Sequence, residues 1–159
     1  MSSVRCKAIN KNNSRCSNQT KRQYPLCWIH LKYKENLQVK KSNLQDAGLG
    51  LFYTGKTPFP ADKRIAYYSS REINNTGEGE YSLQISRNQF LDSTDPLNFV
   101  GRYINDALVR RGNNVRFGNS YKVEKKNERY VVPIISTKRI YPNTELLVSY
   151  GRKYWGNNN

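Results

Sequence analysis

The stretch GRYINDALVRRGNNVRF, residues 101–117, places polar groups where the chain otherwise has the character of a buried segment. Its Asn105-Asp106 pair comes directly after a tyrosine and an isoleucine. Two adjacent arginines and a Gly-Asn-Asn turn then precede the apolar residues Val115 and Phe117. A simple strand or helix does not need this arrangement, so the question is what the Asn-Asp pair contacts.

Length and composition limit the possible answers. A chain of 159 residues is about one domain, with room for a small appendage. Aromatic residues make up 12% of it, and tyrosine, isoleucine and valine are abundant, which predicts a β-rich core. The sequence has no apolar run of about 18 residues, and MSSVRCKAINKNN lacks the apolar region of a signal peptide. We therefore expect an intracellular protein without a membrane span.

The charge of the chain is one-sided. It has 27 lysines and arginines against 12 aspartates and glutamates, which gives a formal net charge of +15. An imbalance of this size usually marks an acidic partner, and we favour nucleic acid or a nucleic-acid-bound complex over a role in solubility alone. The basic residues are spread along the chain rather than gathered in one polybasic tail.

All three cysteines and the only histidine fall in one N-terminal segment, with the spacing Cys6-x9-Cys16-x10-Cys27-x2-His30. Zinc prefers four tetrahedral sulfur and nitrogen ligands, and a structural zinc site closes all four positions. The Cys27-x2-His30 pair can lie on one turn, with His30 at the start of a short helix, WIHLKYKEN. Three unrelated reduced thiols and a surface histidine are the alternative, which the clustering disfavours.

We therefore expect residues 1–37 to form a zinc-binding module of the Cys3His type. A segment with so few apolar residues needs a metal ion to fold. The ion would be structural, because four protein ligands leave no open position for catalysis. The lysines and arginines between the ligands indicate that the module binds a partner, whose kind the sequence leaves open.

From residue 38 onward, short β-like runs alternate with irregular links. We predict strands in RIAYYSS, YSLQIS, VRFGN, YVVPIISTKRI and ELLVSY. The pair Gly48-x-Gly50 permits a positive φ and the close approach of a ligand to the backbone. A hairpin turn or a bulge explains the same two glycines, and the helical continuation of a dinucleotide-binding fingerprint is absent.

Three pieces, DAGLGLF, RYINDALVRRGNNVRF and IYPNTELLVSYGRKYW, follow one another in this order. Together they resemble the SET-domain protein lysine methyltransferases, over roughly residues 38–156. Residues 48–50 are similar to the family's Gly-x-Gly turn, 102–105 to the start of its Arg-Phe-Ile-Asn-His-Ser signature, 114–117 to Asn-Ala-Arg-Phe, and 145–151 to part of Gly-Glu-Glu-Leu-Thr-x-Asp-Tyr-Gly. The brevity of the chain is similar to that of the minimal SET enzymes of large DNA viruses. The resemblance implies a mostly β fold of several small sheets with a threaded, pseudoknot-like C-terminal segment.

The resemblance also implies a chemistry. Members of the family transfer a methyl group from S-adenosylmethionine to a lysine that enters through a narrow channel. Tyr150 takes the position of the catalytic tyrosine, and Tyr68 that of a tyrosine lining the lysine channel. Tyr67 is a rival for the second position, because Ser70 replaces the expected glycine. The residues implied to bind the cofactor are Gly48, Leu49, Gly50, Asn105, Asp106 and Trp155.

The chain departs from the family pattern at several positions. Asp106 stands where His is usual, and Ala107, Leu147 and Ser149 replace Ser, Thr and Asp. Contacts made through the backbone tolerate such changes, and a carboxylate near a sulfonium cation can favour its binding. Val148 stands where the family often has Phe or Tyr, which predicts a roomier pocket and the addition of more than one methyl group.

The first hypothesis is thus a protein-lysine N-methyltransferase that acts on a histone or another protein associated with nucleic acid. The zinc module and the basic surface would bring the enzyme to chromatin, through a nucleosome, or to another nucleic-acid assembly. The alternatives are a catalytically silent SET-like scaffold whose zinc module binds nucleic acid or chromatin, and a structural component that coats nucleic acid in a virion. For a viral protein the expected location is the host nucleus, the viral factory or the virion. The oligomeric state stays open, a homodimer included, and residues 157–159 are expected to be a disordered tail.

Overall fold

The computed structural model describes residues 4–20, 26–30, 35–70, 73–78, 81–93, 100–107, 112–118, 124–126 and 129–150. Short strands form most of the regular structure in these ranges, beside a helical turn at Trp28–His30 (α1) and a 3-10 helix at Val100–Tyr103. The prediction of a mostly β protein is therefore confirmed. In this part of the chain no helix has the length and apolar character needed to cross a membrane. The strands in chain order are β1 Val4–Arg5, β2 Gln19–Thr20, β3 Leu37–Lys41, β4 Leu49–Tyr53, β5 Arg64–Ser70, β6 Ile73–Asn74, β7 Ser82–Ser86, β8 Gln89–Asp92, β9 Asn105–Asp106, β10 Val115–Phe117, β11 Glu124–Lys126, β12 Arg129–Ser136, β13 Thr144–Glu145 and β14 Leu147–Val148.

Strand β12 is the centre of the largest sheet. β5 pairs antiparallel along one of its edges, and β11 and β10 share the other, opposite residues 129–131 and 134–136. Val131, Val132 and Ile134 are completely buried in this strand, and because adjacent residues point to opposite faces, both faces of the sheet are covered here. Smaller sheets, with the orders β13-β4-β3, β6-β8-β7 and β14-β9, complete the main domain.

Pro133 lies inside β12 without interrupting the sheet. Proline lacks the N–H group that a central strand normally donates. Gly118 N donates to Pro133 O (2.6 Å), so Pro133 faces the edge that β10 and β11 share. On that edge the pairing with β11 ends at Val131 and the pairing with β10 begins at Ile134. Pro133 therefore lies between the segments of β12 that pair with β11 and with β10, where neither strand requires an N–H group from it.

β3 and β4 form an antiparallel hairpin, in which Gly48 belongs to the connection and Gly50 lies inside β4 opposite Lys40. Gly48 has a φ of 67° directly before β4, and Ser42 N donates to its carbonyl (2.8 Å). The hairpin explanation therefore accounts for Gly48, because glycine adopts a positive φ at little steric cost, but it does not account for Gly50. The other edge of β4 pairs with β13.

Four of the five predicted strands each contain one observed strand: RIAYYSS corresponds to β5, and YSLQIS, VRFGN and YVVPIISTKRI contain β7, β10 and β12. The fifth, ELLVSY, is divided between two sheets. β13 pairs antiparallel with β4, and β14 pairs in parallel with β9. The chain changes partner at Leu146, which is completely buried and donates its N–H to Leu51 O (2.7 Å). A run of apolar residues does not distinguish one strand from two short ones with different neighbours.

The described residues bury two separate clusters. The main core contains large aliphatic side chains from most strands, among them Leu37, Leu91 and Ile140. The N-terminal cluster consists of the three cysteines and Ala8, with Leu26 packed against it. Because this second cluster contains so little apolar surface, burial alone contributes little to its stability.

Gly101, in the 3-10 helix, packs against β5. A Cβ at this position would lie 2.1 Å from Tyr67 O, a backbone atom of a central part of the sheet. We expect Gly101→Ala to lower the free energy of unfolding by about 3 kcal/mol, the upper end of the usual cost of overpacking, because the clash is with a backbone atom; chemical denaturation measures it. The control is Gly48→Ala, where a Cβ would meet nothing within 4 Å. Gly48→Ala should lower the free energy of unfolding by about 1 kcal/mol, because of the positive φ alone. If Gly48→Ala destabilises the protein as much as Gly101→Ala, or more, the packing argument is wrong.

Candidate functional site

The stretch with the Asn-Asp pair wraps around the C-terminal strand. Asn105 and Asp106 form β9 and pair in parallel with Leu147 and Val148 of β14. Ala107 N extends the pairing with a hydrogen bond to Val148 O (2.9 Å). The polar pair therefore interrupts the apolar sequence where a distant strand comes to lie beside it.

Asn114 holds the same strand from its other edge. Asn114 N donates to Leu147 O (2.9 Å), and its Oδ1 accepts from Leu147 N (2.9 Å). Its side-chain Nδ2 donates to Glu145 O (2.8 Å). The residue is 6% exposed, so the loss of any of these bonds would leave a buried polar group without a partner. Asn114 belongs to one of the motifs but is not among the site residues that the sequence predicts.

Tyr150 contacts the residues on both sides of Asn105. Its hydroxyl donates to Ile104 O (2.6 Å), and its backbone N–H donates to Asp106 Oδ2 (2.8 Å). Asp106 is buried, and a carboxylate that accepts a backbone N–H forms one of the stronger hydrogen bonds in proteins. Asp106, which stands where the resemblance expects His, thus holds the backbone of the predicted catalytic tyrosine.

A cavity of ≈ 380 Å³ opens beside Tyr150. Its lining includes Tyr68, Phe117 and Val148. The rings of Tyr68 and Phe117 meet edge to face, with centroids 5.7 Å apart and an interplanar angle of 88°. Around these residues the wall is aromatic and aliphatic, whereas Arg102, Asn113 and Arg116 place charged and polar groups on other parts of the lining.

Tyr68 rather than Tyr67 faces this cavity. Adjacent residues of a strand point to opposite faces of the sheet, so only one of the two can line it. The Tyr67 ring instead lies under the Arg64 guanidinium, 4.4 Å from ring centroid to Cζ. The Tyr68 hydroxyl donates to Tyr81 O. Burial, together with the neighbouring Tyr150, raises the pKa of Tyr68 well above its usual range, so this phenol stays protonated at neutral pH.

Asn105 and the Gly-x-Gly hairpin form a second part of the site. Asn105 Nδ2 donates to Leu49 O (3.0 Å) and lies 3.3 Å from Glu145 Oε1. A Cβ on Gly50 would lie 2.2 Å from the same carboxylate oxygen, so only glycine allows this approach. At Gly48 a Cβ would meet nothing within 4 Å, and Leu49 is 51% exposed. The edge formed by these residues is therefore open to a ligand.

Glu145 is the buried charge that orders this edge. Ser42 Oγ and Asn43 N donate to its carboxylate, at 2.6 and 2.8 Å. Asn105 contacts the same group, so Glu145 fixes the Asn105 amide and the end of β3 together. The sequence predicts no role for this glutamate beyond its match to a family motif, because its partners lie far away along the chain.

The structure thus brings most of the predicted site residues into two adjoining groups. Tyr68 and Tyr150 line the tyrosine cavity, whereas Gly48, Gly50 and Asn105 lie at the hairpin edge. Of the described residues predicted to bind the cofactor, none lines the tyrosine cavity. Trp155 lies outside the described residues.

The predicted metal ligands also come together. One donor atom each from Cys6, Cys16, Cys27 and His30 lies within 4.8 Å of all the others. His30 Nδ1 is 3.3 Å from Cys27 Sγ and 3.8 Å from Cys6 Sγ. No disulfide joins the three buried cysteines. This arrangement can hold a metal ion.

The surroundings favour the thiolate at Cys27, whereas at Cys16 the hydrogen bond from Asn18 N is outweighed by burial and the neighbouring Cys27 and Cys6 thiols, which raise the pKa of Cys16. Cys27 N and Ala8 N donate to Cys6 Sγ, at 3.2 and 3.5 Å. Burial disfavours the Cys27 thiolate, but hydrogen bonds from His30, Asn18 and Cys6 more than offset it and lower the pKa of Cys27 to about 6. The thiolate is the form that binds metal ions.

Two arginines join the arms of the metal cluster. Arg5 Nε donates to Cys16 O (2.9 Å), and Arg15 Nε donates to Cys6 O (3.0 Å). Each guanidinium also donates to the backbone carbonyl of the other arginine, at 2.9 Å. These two positive charges therefore satisfy carbonyl groups within the module.

Neither a scan of the sequence against protein-family models nor a search of curated proteins finds a match. The function of the chain must therefore be inferred from its own residues. The two groups that carry recognisable chemistry are the tyrosine cavity with its hairpin edge and the Cys3His cluster.

We expect the full-length protein to hold one metal ion per chain, measured by elemental analysis after extensive dialysis. Cys16→Ser should remove most of the ion, because it replaces one thiolate of the set. Ser17→Ala changes an exposed neighbour and should retain it. Removal of the ion by a chelator should increase hydrogen exchange at residues 4–20 much more than in β12. A metal-free wild type, or full occupancy in Cys16→Ser, would contradict the prediction.

Proposed function

We propose that the chain is an S-adenosylmethionine-dependent protein-lysine N-methyltransferase with a SET-type domain over residues 38–156. The observation that carries the proposal is the Tyr150 hydroxyl, held on Ile104 O beside a tyrosine-lined cavity. The parallel pairing of β9 with β14 supports it, because it gives the C-terminal segment a threaded position. The proposed substrate is a histone or another protein associated with nucleic acid.

In this proposal the tyrosine cavity receives the lysine side chain. Tyr68, Phe117 and Val148 offer apolar surface to its methylene groups. Exclusion of water disfavours the ammonium form, so the lysine releases its proton to solvent before the transfer. The Tyr150 hydroxyl donates its proton to Ile104 O, and its oxygen therefore acts as an acceptor that orients the amine. Tyr68 keeps its own proton and acts as a wall of the channel.

The hairpin edge fits the methionine end of the cofactor. The backbone at Gly48 is open, and Leu49 offers exposed apolar surface. No described residue donates to Asn105 Oδ1, which can therefore accept a hydrogen bond from an amino group. When bound, S-adenosylmethionine supplies the methyl group, whose carbon bonds to the lysine nitrogen as the carbon–sulfur bond breaks and sulfur keeps the electron pair.

Asp106 suits a cationic ligand in a way that the usual His does not. Its carboxylate accepts the Tyr150 N–H, so it positions the tyrosine from within the fold. It also places a negative charge close to the proposed site, where low exposure strengthens its attraction for a cation. We therefore assign Asp106 to positioning and electrostatics.

We further propose that the Cys3His cluster holds a structural zinc ion. Three sulfurs and one imidazole nitrogen are a donor set that zinc prefers. Because four protein side chains would fill the ligand positions of a structural zinc site, the ion would stabilise the fold and take no part in methyl transfer.

The alternative is a catalytically silent scaffold that binds nucleic acid or chromatin. The net charge of +15 and the metal cluster suit a scaffold as well as an enzyme. A scaffold has no need for a cavity in which Tyr68 and Tyr150 converge. Binding of S-adenosylmethionine, measured by calorimetry, separates the two.

We expect transfer of labelled methyl groups from S-adenosylmethionine to a core histone, another basic nucleic-acid-associated protein or the chain itself. Tyr150→Phe should lower kcat by at least about tenfold, because it removes the acceptor oxygen, and should leave cofactor affinity unchanged. The control, Tyr130→Phe, removes a hydroxyl that does not line the cavity and should retain activity. Absence of both transfer and cofactor binding would favour the silent scaffold.

Val148 gives a separate prediction about the product. It is buried and lines the cavity, where a small aliphatic side chain leaves room for a methylated amine. We expect mass spectrometry of the product at saturation to show at least two methyl groups on one lysine. Val148→Phe should restrict the product to one. A wild-type product with a single methyl group would refute the role of Val148, whatever the variant does.

A further inference from the structure

A second cavity, of ≈ 490 Å³, lies beside the loop at residues 137–143 and shares no lining residue with the tyrosine cavity. Lys138, Arg139 and Tyr141 line it, and all three are exposed. Tyr141 is 60% exposed, the highest value among the large apolar side chains of the described residues. We call these three residues the 138–141 surface.

The positive charges of the 138–141 surface are not used within the described part of the chain. No described carboxylate pairs with Lys138 or Arg139, whereas Arg5 and Arg15 bond backbone carbonyls of their own module. The one carboxylate that lines the cavity belongs to Glu145, which is 4% exposed and accepts hydrogen bonds from residues 42 and 43. Lys138 and Arg139 are therefore available to an outside anion.

The loop that carries these side chains is held by backbone hydrogen bonds on both sides. Thr137 N donates to Asn114 O (2.9 Å), and Asn143 N donates to Tyr53 O (2.8 Å). Between them, Ile140 is buried and exchanges two bonds with Phe59, at 2.7 and 2.9 Å. Because the backbone is anchored at these points, the exposed side chains start from fixed positions and lose less freedom on binding.

Two cations and an aromatic ring on an anchored loop match the chemistry of a nucleic acid strand. Lysine and arginine contact phosphates, and every base has a face that can stack on an aromatic ring. In a duplex the bases are stacked on one another, so an exposed tyrosine gains this contact from an unpaired base. Exposed amides of Asn43 and Asn143 at the same cavity add hydrogen-bonding groups for a base edge or a sugar.

We infer that the 138–141 surface binds single-stranded nucleic acid, with phosphates on Lys138 and Arg139 and a base stacked on Tyr141. The second cavity adjoins the proposed cofactor edge, with which it shares Glu145, but Lys138, Arg139 and Tyr141 are not among the residues proposed to bind the cofactor or the lysine. It would locate part of the chain's positive charge at a defined place on the main domain. DNA and RNA share the chemistry involved, so they are compared directly in the test.

The test is fluorescence anisotropy of the full-length, metal-loaded protein, without cofactor, at several salt concentrations. The probes are a labelled DNA strand of about 12 nucleotides, the RNA strand of the same sequence and the DNA duplex. We expect at least one single strand to bind more tightly than the duplex. Arg139→Glu should weaken binding more than tenfold and reduce the salt slope by about 0.7 for each phosphate that the variant no longer neutralises.

The matched control is Arg87→Glu, which makes the same charge change at an exposed turn between β7 and β8. It should weaken binding less than twofold. Tyr141→Ala should weaken binding roughly tenfold, and Tyr141→Phe should retain wild-type affinity, since it keeps the ring. No binding to either strand, tighter binding to the duplex, or equal losses from Arg139→Glu and Arg87→Glu would overturn the inference. Because no step uses the cofactor, methyl transfer can fail while this site is confirmed, and the reverse also holds.

Discussion

The hydrogen bonds that hold β14 between residues 105–107 and Asn114 decide the geometry of the candidate site. A parallel pairing of two residues is a weak unit, since each net hydrogen bond contributes about 1 kcal/mol. The Asn114 side chain adds two bonds to the same segment, and Asp106 adds one to Tyr150 N. The Asn114 and Asp106 side chains are buried, so breaking one of their bonds leaves a buried polar group without that partner.

Glu145 connects this strand to the hairpin edge. Its carbonyl accepts the Asn114 amide, and its carboxylate accepts hydrogen bonds from the end of β3 and contacts Asn105. A single buried residue therefore orders groups that belong to the proposed cofactor edge and to the support of β14. Because a buried charge is costly unless it is fully hydrogen-bonded, these partners keep their positions together.

The two parts of the chain reach stability by different physical means. The main domain buries a core of large aliphatic side chains, whereas the N-terminal cluster buries three cysteines and an alanine. A metal ion held by the Cys3His cluster would supply the stability that so little apolar surface cannot. The arginines of the two parts also have different surroundings. Arg5 and Arg15 bond backbone carbonyls of the N-terminal cluster, whereas Arg139 faces solvent on the main domain.

The sequence by itself determined the properties that depend on residue type and near neighbours. These are the mostly β character and the set of metal ligands, whose chemistry is visible in three cysteines and one histidine. Only the tertiary structure decided that Tyr68 rather than Tyr67 faces the cavity, and that Glu145 contacts Ser42, 103 positions away. Strand alternation allows either tyrosine, and hydrogen bonds across long loops leave no local pattern, so both depend on how the chain closes around β14.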